Sequence, residues 1–226
     1  MEEKELRSVA SQLSCPEGEL GLVVGDKMNV LNQFISNKTI EALSANQGES
    51  IVEVGPGNGF LSIPLLDVLG KNGYYFGIEM SDLMAAEASR ILSDKSCTVE
   101  ILNGSCSEVY IKPSSIDGVI AINVLYFIED LISFFKQLLS WVKPRGRVVF
   151  GVRSDRALNN LPFAQYGFNI RSTDEIEMLM EQAGFVSITS SVYDEGMTPF
   201  GDVDIPVDSV IIVGRSVVVN LFWSAN

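Results

Sequence analysis

The 226-residue sequence contains no histidine. That absence removes every mechanism needing an imidazole base or ligand, including Ser-His-Asp and Cys-His chemistry and most zinc sites. Cysteine is scarce: Cys15, Cys97 and Cys106 show neither a CxxC pair nor any other metal-ligand spacing, and an odd count does not make a disulfide framework. Reduced thiols, no metal and a cytoplasmic location are the expectation. No apolar run reaches the length of about 18 residues that a spanning helix needs. The first residues, "MEEKELRS", open on acids rather than on a basic segment followed by an apolar one, so no signal peptide is expected. Basic residues are also in deficit, 16 against 29 acidic, a net charge of -13. Such a surface repels phosphate backbones and disfavours a nucleic-acid substrate, whereas small neutral or cationic molecules suit it better.

What is present begins with 46% hydrophobic residues, enough to bury one sizeable core in a single domain. Residues 1–48 read as a helical N-terminal cap. Within it "DKMNVLNQFISNKTIEAL" puts Met28, Leu31, Ile35 and Leu43 on roughly one face, predicting one helix. Met28 can pack on the core, while Asn29 and Asn32, three apart, can both face a cleft. From residue 49 the pattern alternates. Short β-branched runs, "SIVEV", "YYFGI", "TVEIL", "DGVIAINV" and "RVVFGV", are each followed by a segment long enough for a helix. This predicts an α/β fold with a doubly wound, mostly parallel sheet.

"EDLISFFKQLLSWV" repeats Leu131, Phe134, Phe135, Leu138, Leu139 and Val142 at helical spacing, and "KPRG" is expected to end that helix, through Pro144, and turn into the next strand at Gly146. "STDEIEMLMEQAGF" has Ser172 or Thr173 as N-cap and Gly184 as stop. Beyond Gly184, "FVSITSSVYD" and "DSVIIVGR" read as an antiparallel hairpin joined by a Gly/Pro/Asp-rich loop. Residues 49–215 thus form the core. Residues 216–226, "SVVVNLFWSAN", remain as an extension that an added edge strand or a homodimer contact would bury.

In "IVEVGPGNGF" a buried strand runs into Gly55, Gly57 and Gly59. At the carboxyl end of a parallel strand, glycines let a ligand approach the backbone closely. The spacing is GxGxG rather than the dinucleotide GxGxxG. By itself it also fits a merely tight strand-to-helix turn. The second strand ends in Glu79, twenty residues after Gly59, where an acid can accept two hydrogen bonds from ribose hydroxyls.

With these residues in order, the stretch from about Gly25 to Arg215 resembles the class I S-adenosylmethionine-dependent methyltransferases. "EVGPGNG" matches the family's first motif, whose loop holds the amino-acid end of the cofactor; Glu79 matches the ribose-binding acid; "ILNGSC" matches the segment beside adenine. "IDGVIAINVLYFIED" matches the fourth strand and its exit loop, and "LLSWVKPRGRVVF" the helix, turn and fifth strand. The resemblance implies a seven-stranded sheet with an antiparallel C-terminal hairpin and N-terminal helices. It implies S-adenosyl-L-methionine as cofactor, held by Glu53, Gly55, Pro56, Gly57, Asn58, Gly59, Glu79, Met80, Gly104, Ser105, Asn123 and Tyr126, and a small-molecule methyl acceptor. Two positions depart from the family. Ser105 stands where many relatives carry Asp after the third-motif glycine, and Tyr126 stands where a histidine often follows the fourth strand.

No catalytic residue follows from the motifs. An alcohol acceptor would need a base, for which Tyr193, Asp194 and Glu195 are the candidates; an amine, a thiol or an ionised oxygen needs less. Family architecture puts the acceptor under the N-terminal helices and the insert after the fifth strand, "RSDRALNNLPFAQYGFNIRS". That insert mixes Phe163, Tyr166 and Phe168 with Arg153, Arg156 and Arg171, which suits either a lid with polar handles or a loop packed on the sheet. The alternatives are a methyltransferase-like binding protein without turnover and a nicotinamide-dependent oxidoreductase, against which the glycine spacing and the lack of a Tyr-x-x-x-Lys pair argue.

Overall fold

The computed structural model describes residues 2–200 and 203–217. Three helices come first, α1 (Glu3–Ser14), α2 (Gly18–Leu31) and α3 (Gln33–Leu43). Alternating elements follow: β1 (Ser50–Val54), α4 (Ile63–Leu69), β2 (Tyr74–Glu79), α5 (Asp82–Ile91), β3 (Thr98–Asn103), β4 (Ile116–Ile122), α6 (Leu131–Trp141), β5 (Val142–Val152), α7 (Asp155–Leu158), α8 (Thr173–Ala183), β6 (Val186–Phe200) and β7 (Val203–Arg215). The strands make one sheet in the order β3-β2-β1-β4-β5-β7-β6. Pairings among β1 to β5 are parallel, and β7 runs antiparallel to both β5 and β6. This is the seven-stranded, doubly wound sheet with a terminal hairpin that the sequence predicts.

Period-two alternation divides each central strand between two cores. Val52 and Val54 of β1 join Val119, Ala121 and Phe150 against α6 and α8, whereas Ile51 joins Ile120 and Tyr75 against α3 and α4. Both faces are therefore buried, which is why these strands read as unbroken apolar runs. On the first face Phe135 meets Phe150 with ring centroids 5.3 Å apart. The strand order reverses between β1 and β4. Their carboxyl ends, at Val54 and Ile122, open the crevice where ligands of such sheets bind.

The Ser172 hydroxyl caps α8 by accepting from the Glu175 N–H, and Gly184 ends the helix at φ 109°, both as expected from sequence. Ser172→Ala is expected to lower stability by about 1 kcal/mol, measured by urea denaturation, with α8 otherwise intact.

Four expectations are corrected. The first concerns "DKMNVLNQFISNKTIEAL", which is two helices rather than one: α2 stops at Leu31, Asn32 lies between them at φ −104°, and only the second half buries its apolar positions, Ile35 and Leu43. Leu20, Val23, Val30 and Leu31 of α2 face outward instead. Secondly, no helix connects β3 to β4, because residues 104–115 form turns and bends. Thirdly, β5 begins at Val142, directly after α6, so "KPRG" lies inside the strand. There the β4 pairing jumps from Ile116–Val142 to Gly118–Arg147 and Arg145 takes φ 66°, so the extra residues are absorbed as a bulge. Lastly, the hairpin strands continue through the Gly/Pro/Asp-rich segment. β5 pairs with β7 only over Val210–Arg215, so the remainder of β6 and β7 projects as a two-stranded arm past the end of β5. Pro206 is tolerated there because one edge of β7 is free of a ladder.

Of the terminal extension, Ser216 donates from its N–H to the Gly146 carbonyl and from its hydroxyl to the Lys143 carbonyl, while residues 218–226, with the expected edge strand or homodimer contact, lie outside the described residues.

Candidate functional site

The chain leaves β1 at Val54 and turns through the glycine loop into α4. Gly57 has φ 58°, and a Cβ built on it would meet no atom within 4 Å, so this stretch of backbone faces open space. Gly59 has φ 78°, and a Cβ there would come within 2.9 Å of Leu92 Cδ1 and 3.2 Å of Ala88 Cα. One glycine keeps the loop open to a ligand and the other seats it on α5.

Glu79 closes the loop from the next strand. Its two carboxylate oxygens accept separately, Oε2 from the Gly57 N–H at 2.9 Å and Oε1 from the Ser81 N–H at 2.9 Å. Its main-chain carbonyl accepts from Asn103 Nδ2 and from the Gly104 N–H. The side chain is buried, and burial raises its pKa above the ordinary carboxylate value; bonds from the Ser81, Gly57 and Met80 amides act in the opposite direction. Met80, next in the chain, is exposed.

Glu53 behaves differently. It points into the α4 side of the sheet, where its carboxylate accepts from the Tyr75 hydroxyl at 2.7 Å, and that hydroxyl lies 3.2 Å from Ser62 Oγ. Burial raises the Glu53 pKa, the Ser62 and Tyr75 bonds lower it, and the charge of Glu79 raises it again. Glu53 thus braces the loop from beneath, a position the motif match does not reveal. Tyr75→Phe leaves this buried carboxylate short of a donor and is expected to lower stability by about 1–3 kcal/mol in urea denaturation.

The remaining predicted residues divide into two groups. Pro56 and Asn58 are buried in the loop. Gly104 and Ser105 follow β3 beside Glu79, and Asn123 follows β4 at φ 57°, in the crevice. Tyr126 instead belongs to an aromatic cluster with the insert, stacked on Phe168 at 4.9 Å and edge-on to Phe127 at 4.8 Å. Burial drives its hydroxyl pKa well up, and the Arg153 charge offsets part of that. One residue was not anticipated. The Glu108 carboxylate accepts from the Ser105 N–H at 2.8 Å, so an acid returns to the place where Ser105 replaces the family's Asp. The Ser-x-x-Glu spacing of a capping box was the available signal.

The N-terminal helices cover the site. A Cβ on Gly25 would lie 3.2 Å from the Met84 sulfur and 3.7 Å from Asn58 Nδ2, so the α2 backbone rides against the glycine loop and α5. The Ser81 hydroxyl donates to the Pro16 carbonyl, fixing the end of α1 beside Glu79. Across the crevice the Arg7 guanidinium stands 4.4 Å over the Tyr166 ring. Between α1 and the insert runs a groove of about 570 Å³, lined by Arg7, Ser11, Ser14, Cys15, Gln165 and Tyr166. Within the insert Phe163 and Phe168 pack inward, and Tyr166 lines the groove.

Where α2 ends, the Arg153 guanidinium donates to the Leu31 carbonyl at 3.1 Å, to the Asp208 carbonyl at 2.9 Å, and to the Glu195 carboxylate. Glu195 also accepts from the Ser209 hydroxyl. The candidate bases on β6 each have a partner of their own. Glu195 is held in an ion pair, Asp194 accepts from the Gly196 N–H within a bulge, and Tyr193 lies edge-on to Phe34 at 6.1 Å.

The site residues suit an adenosyl ligand with a positive centre: an open glycine backbone, a buried carboxylate at ribose distance in the chain, and no cation within the loop itself. No group of three or more metal-ligating side chains occurs among the described residues.

Comparison with known proteins agrees with this geometry. A family model described as a methyltransferase domain matches residues 51–146. The uncharacterized methyltransferase YdaC of Bacillus subtilis is 29% identical over 136 residues, covering 60% of this chain and 74% of that protein. Phosphoethanolamine N-methyltransferase 1 of Arabidopsis thaliana is 23% identical over 158 residues, 66% of this chain but only 31% of the plant protein. Among solved structures, phosphoethanolamine N-methyltransferase 2 of Haemonchus contortus in complex with S-adenosyl-L-methionine superposes with a TM-score of 0.65 at 14% identity, over 81% of this chain and 52% of that one. The chain thus spans about half or less of these last two.

Proposed function

We propose that this chain, which belongs to the class I S-adenosylmethionine-dependent methyltransferases, moves the methyl group of S-adenosyl-L-methionine to a small molecule held in the groove between α1 and the insert. The observation that carries the reading is the arrangement around Glu79, whose carboxylate joins the glycine loop to the first turn of α5 directly beneath the N-terminal cover. The groove's size falls within the range of about 300–1,000 Å³ usual for small-molecule sites. An acidic surface and relatives named for phosphoethanolamine support an acceptor of that size.

In this reading Glu79 takes the ribose hydroxyls, Gly57 lets the ligand lie on bare backbone, and Met80, Gly104 and Ser105 flank the base with Glu108 behind them. The cofactor supplies a methyl group already activated by a sulfonium. What the protein adds is alignment and exclusion of water, provided by α1 and α2 folded over the loop. With the carboxylates of β6 occupied elsewhere, the acceptor supplies its own lone pair without a side-chain base.

A cytoplasmic location is consistent with three unpaired cysteines, whose thiols are all made less acidic by burial, Cys106 to about 12. No helix among the described residues is long and apolar enough to cross a membrane.

Isothermal titration with S-adenosylmethionine, S-adenosylhomocysteine and NADH tests the proposal. Binding of both adenosyl ligands and not of NADH is expected, followed by methyl transfer in a screen of small acceptors. Binding without transfer to any acceptor would favour a silent member of the family, and binding of NADH alone would refute the cofactor assignment.

A further inference from the structure

The groove between α1 and the insert has a charge unlike that of the whole chain. The sequence carries 29 acids against 16 bases, yet among the described residues that line the groove the charged side chain is Arg7, and none is acidic. Arg7, Ser11 and Ser14 are spaced four and three residues apart on α1, so one face of that helix presents a guanidinium and two hydroxyls in a row. All three can donate hydrogen bonds. Among the described residues nothing bonds the hydroxyl of Ser11 or of Ser14.

Arg7 is only partly engaged. Its Nε and Nη2 both donate to one oxygen, Glu3 Oε1, at 2.9 and 2.8 Å. That contact takes the side edge of the guanidinium. The end edge, Nη1 with the second hydrogen of Nη2, has no partner among the described residues, and it is the fork that fits two oxygens of a carboxylate or phosphate. The Arg7 and Glu3 side chains are 62% and 65% exposed, so water screens their pairing and Glu3 is a weak competitor for a second anion. Tyr166 sets the plane of the fork, since the guanidinium lies over its ring. The opposite end of the groove meets the cofactor site: Cys15 lines it, and the carbonyl of the next residue, Pro16, accepts from the Ser81 hydroxyl beside Glu79. From Arg7 to Ser14 is two helical turns, about 10 Å along the axis. A molecule in the groove therefore has a cation at one end and the seat of the methyl donor at the other, with Ala10 and the Tyr166 ring as apolar wall between.

We propose that the methyl acceptor is an elongated acid whose carboxylate or phosphate docks on the open fork of Arg7, with the atom to be methylated at the Cys15 end, and that Arg7 is the residue that selects it. This rests on the methyltransferase reading above, with the groove as the acceptor's seat, and deepens it by naming the acceptor's charge. A neutral acceptor leaves the fork empty, and a cationic one sets a like charge against it. Because Arg7 holds the acceptor far from the reacting atom, its loss weakens binding and leaves the bound reaction unchanged: KM rises and kcat stays.

The experiment is isothermal titration of the full chain, saturated with S-adenosylhomocysteine, using two matched pairs of probes: phenylpropionate against phenylpropionamide, and phenethyl phosphate against phenethyl alcohol. The native complex is expected to bind at least one acid about tenfold more tightly than its neutral partner, and the pair that shows the difference tells carboxylate from phosphate. Arg7→Gln brings the acid down to the level of the neutral probe and leaves the affinity for S-adenosylhomocysteine unchanged. Glu3→Gln removes the competing carboxylate, so it tightens the acid severalfold and does not move the neutral probe. Equal binding of acid and neutral probe by the native complex, or no binding of either acid at millimolar concentration, overturns the anion site while the methyltransferase reading stands. The same holds if Arg7→Gln keeps the acid as tightly as native protein, or loses acid and neutral probe alike, since Arg7 would then act on the shape of the groove and not on charge. Failure of the native protein to bind S-adenosylhomocysteine overturns both.

Discussion

Replacing Glu79 with alanine is expected to weaken S-adenosylmethionine binding on the order of a hundredfold, because in its proposed ribose-binding role two charge-assisted bonds to the ligand would disappear from a buried site. The same change removes the acceptor shared by the Gly57 and Ser81 amides, so the loop and the first turn of α5 lose their common tie. The effect has a pH signature. Burial raises the Glu79 pKa, so its charged form is disfavoured in the free protein. Affinity should therefore decline on acidification at a pH above that of an ordinary carboxylate, as Glu79 takes up a proton. For stability the sign is opposite to that of a salt-bridged acid: a raised pKa gives a contribution present below the unfolded value and lost as pH rises through the folded one. Ionised Glu79 is thus a cost in the free protein. Titration calorimetry across pH on native and variant protein measures this. A Glu79→Ala protein that is folded and binds as tightly as the native one would remove the basis of the cofactor assignment.

Arg153→Ala is the second large effect. Its side chain and that of Glu195 are 11% and 15% exposed, so deleting the cation strands a largely buried carboxylate. A loss of about 3–5 kcal/mol is expected in urea denaturation. Pairing Arg153→Met with Glu195→Gln should recover most of it, since no charge is then left alone. Both variants free the Leu31 carbonyl, and with it the end of α2, so ligand affinity should fall in the single and the double variant alike. If the double variant were as unstable as the single, the penalty would lie in the lost bonds to Leu31 and Asp208 rather than in the stranded charge.

Much of this was legible in the sequence, for a physical reason. β1, β4 and β5 are buried on both faces, and burial of that kind can only be written as continuous β-branched and aliphatic runs. Gly57 and Gly59 show themselves because few other residues hold those positive φ angles, and at Gly59 a Cβ would also meet Leu92 and Ala88. Glu79 shows itself because strand length and loop length fix its distance from the glycines. What escaped depended on contacts distant in sequence. The stop at Asn32 carries no proline or glycine, and its cause is tertiary: Asn123 takes the side chain and Arg153 the preceding carbonyl. The turn at "KPRG" was misread because a bulge against β4 absorbed the residues. The Gly/Pro/Asp-rich segment looked like a loop, yet two strands pairing only with each other tolerate those residues. The motif placed Glu53 in the site but could not say which face of β1 it occupies in the company of Tyr75 and Ser62.

The break at Asn32 also sets how the molecule opens. α3 carries Ile35 and Leu43, both fully buried in the sheet's core, so its amides exchange with solvent deuterium only when the whole domain unfolds. α2 ends at that break, where Arg153 holds its last carbonyl, and along its length rests on the body through Gly21 and Gly25. Its amides, with those of α1, can therefore exchange in a separate and cheaper opening that leaves the sheet intact, and a ligand seated beneath them would slow that exchange first.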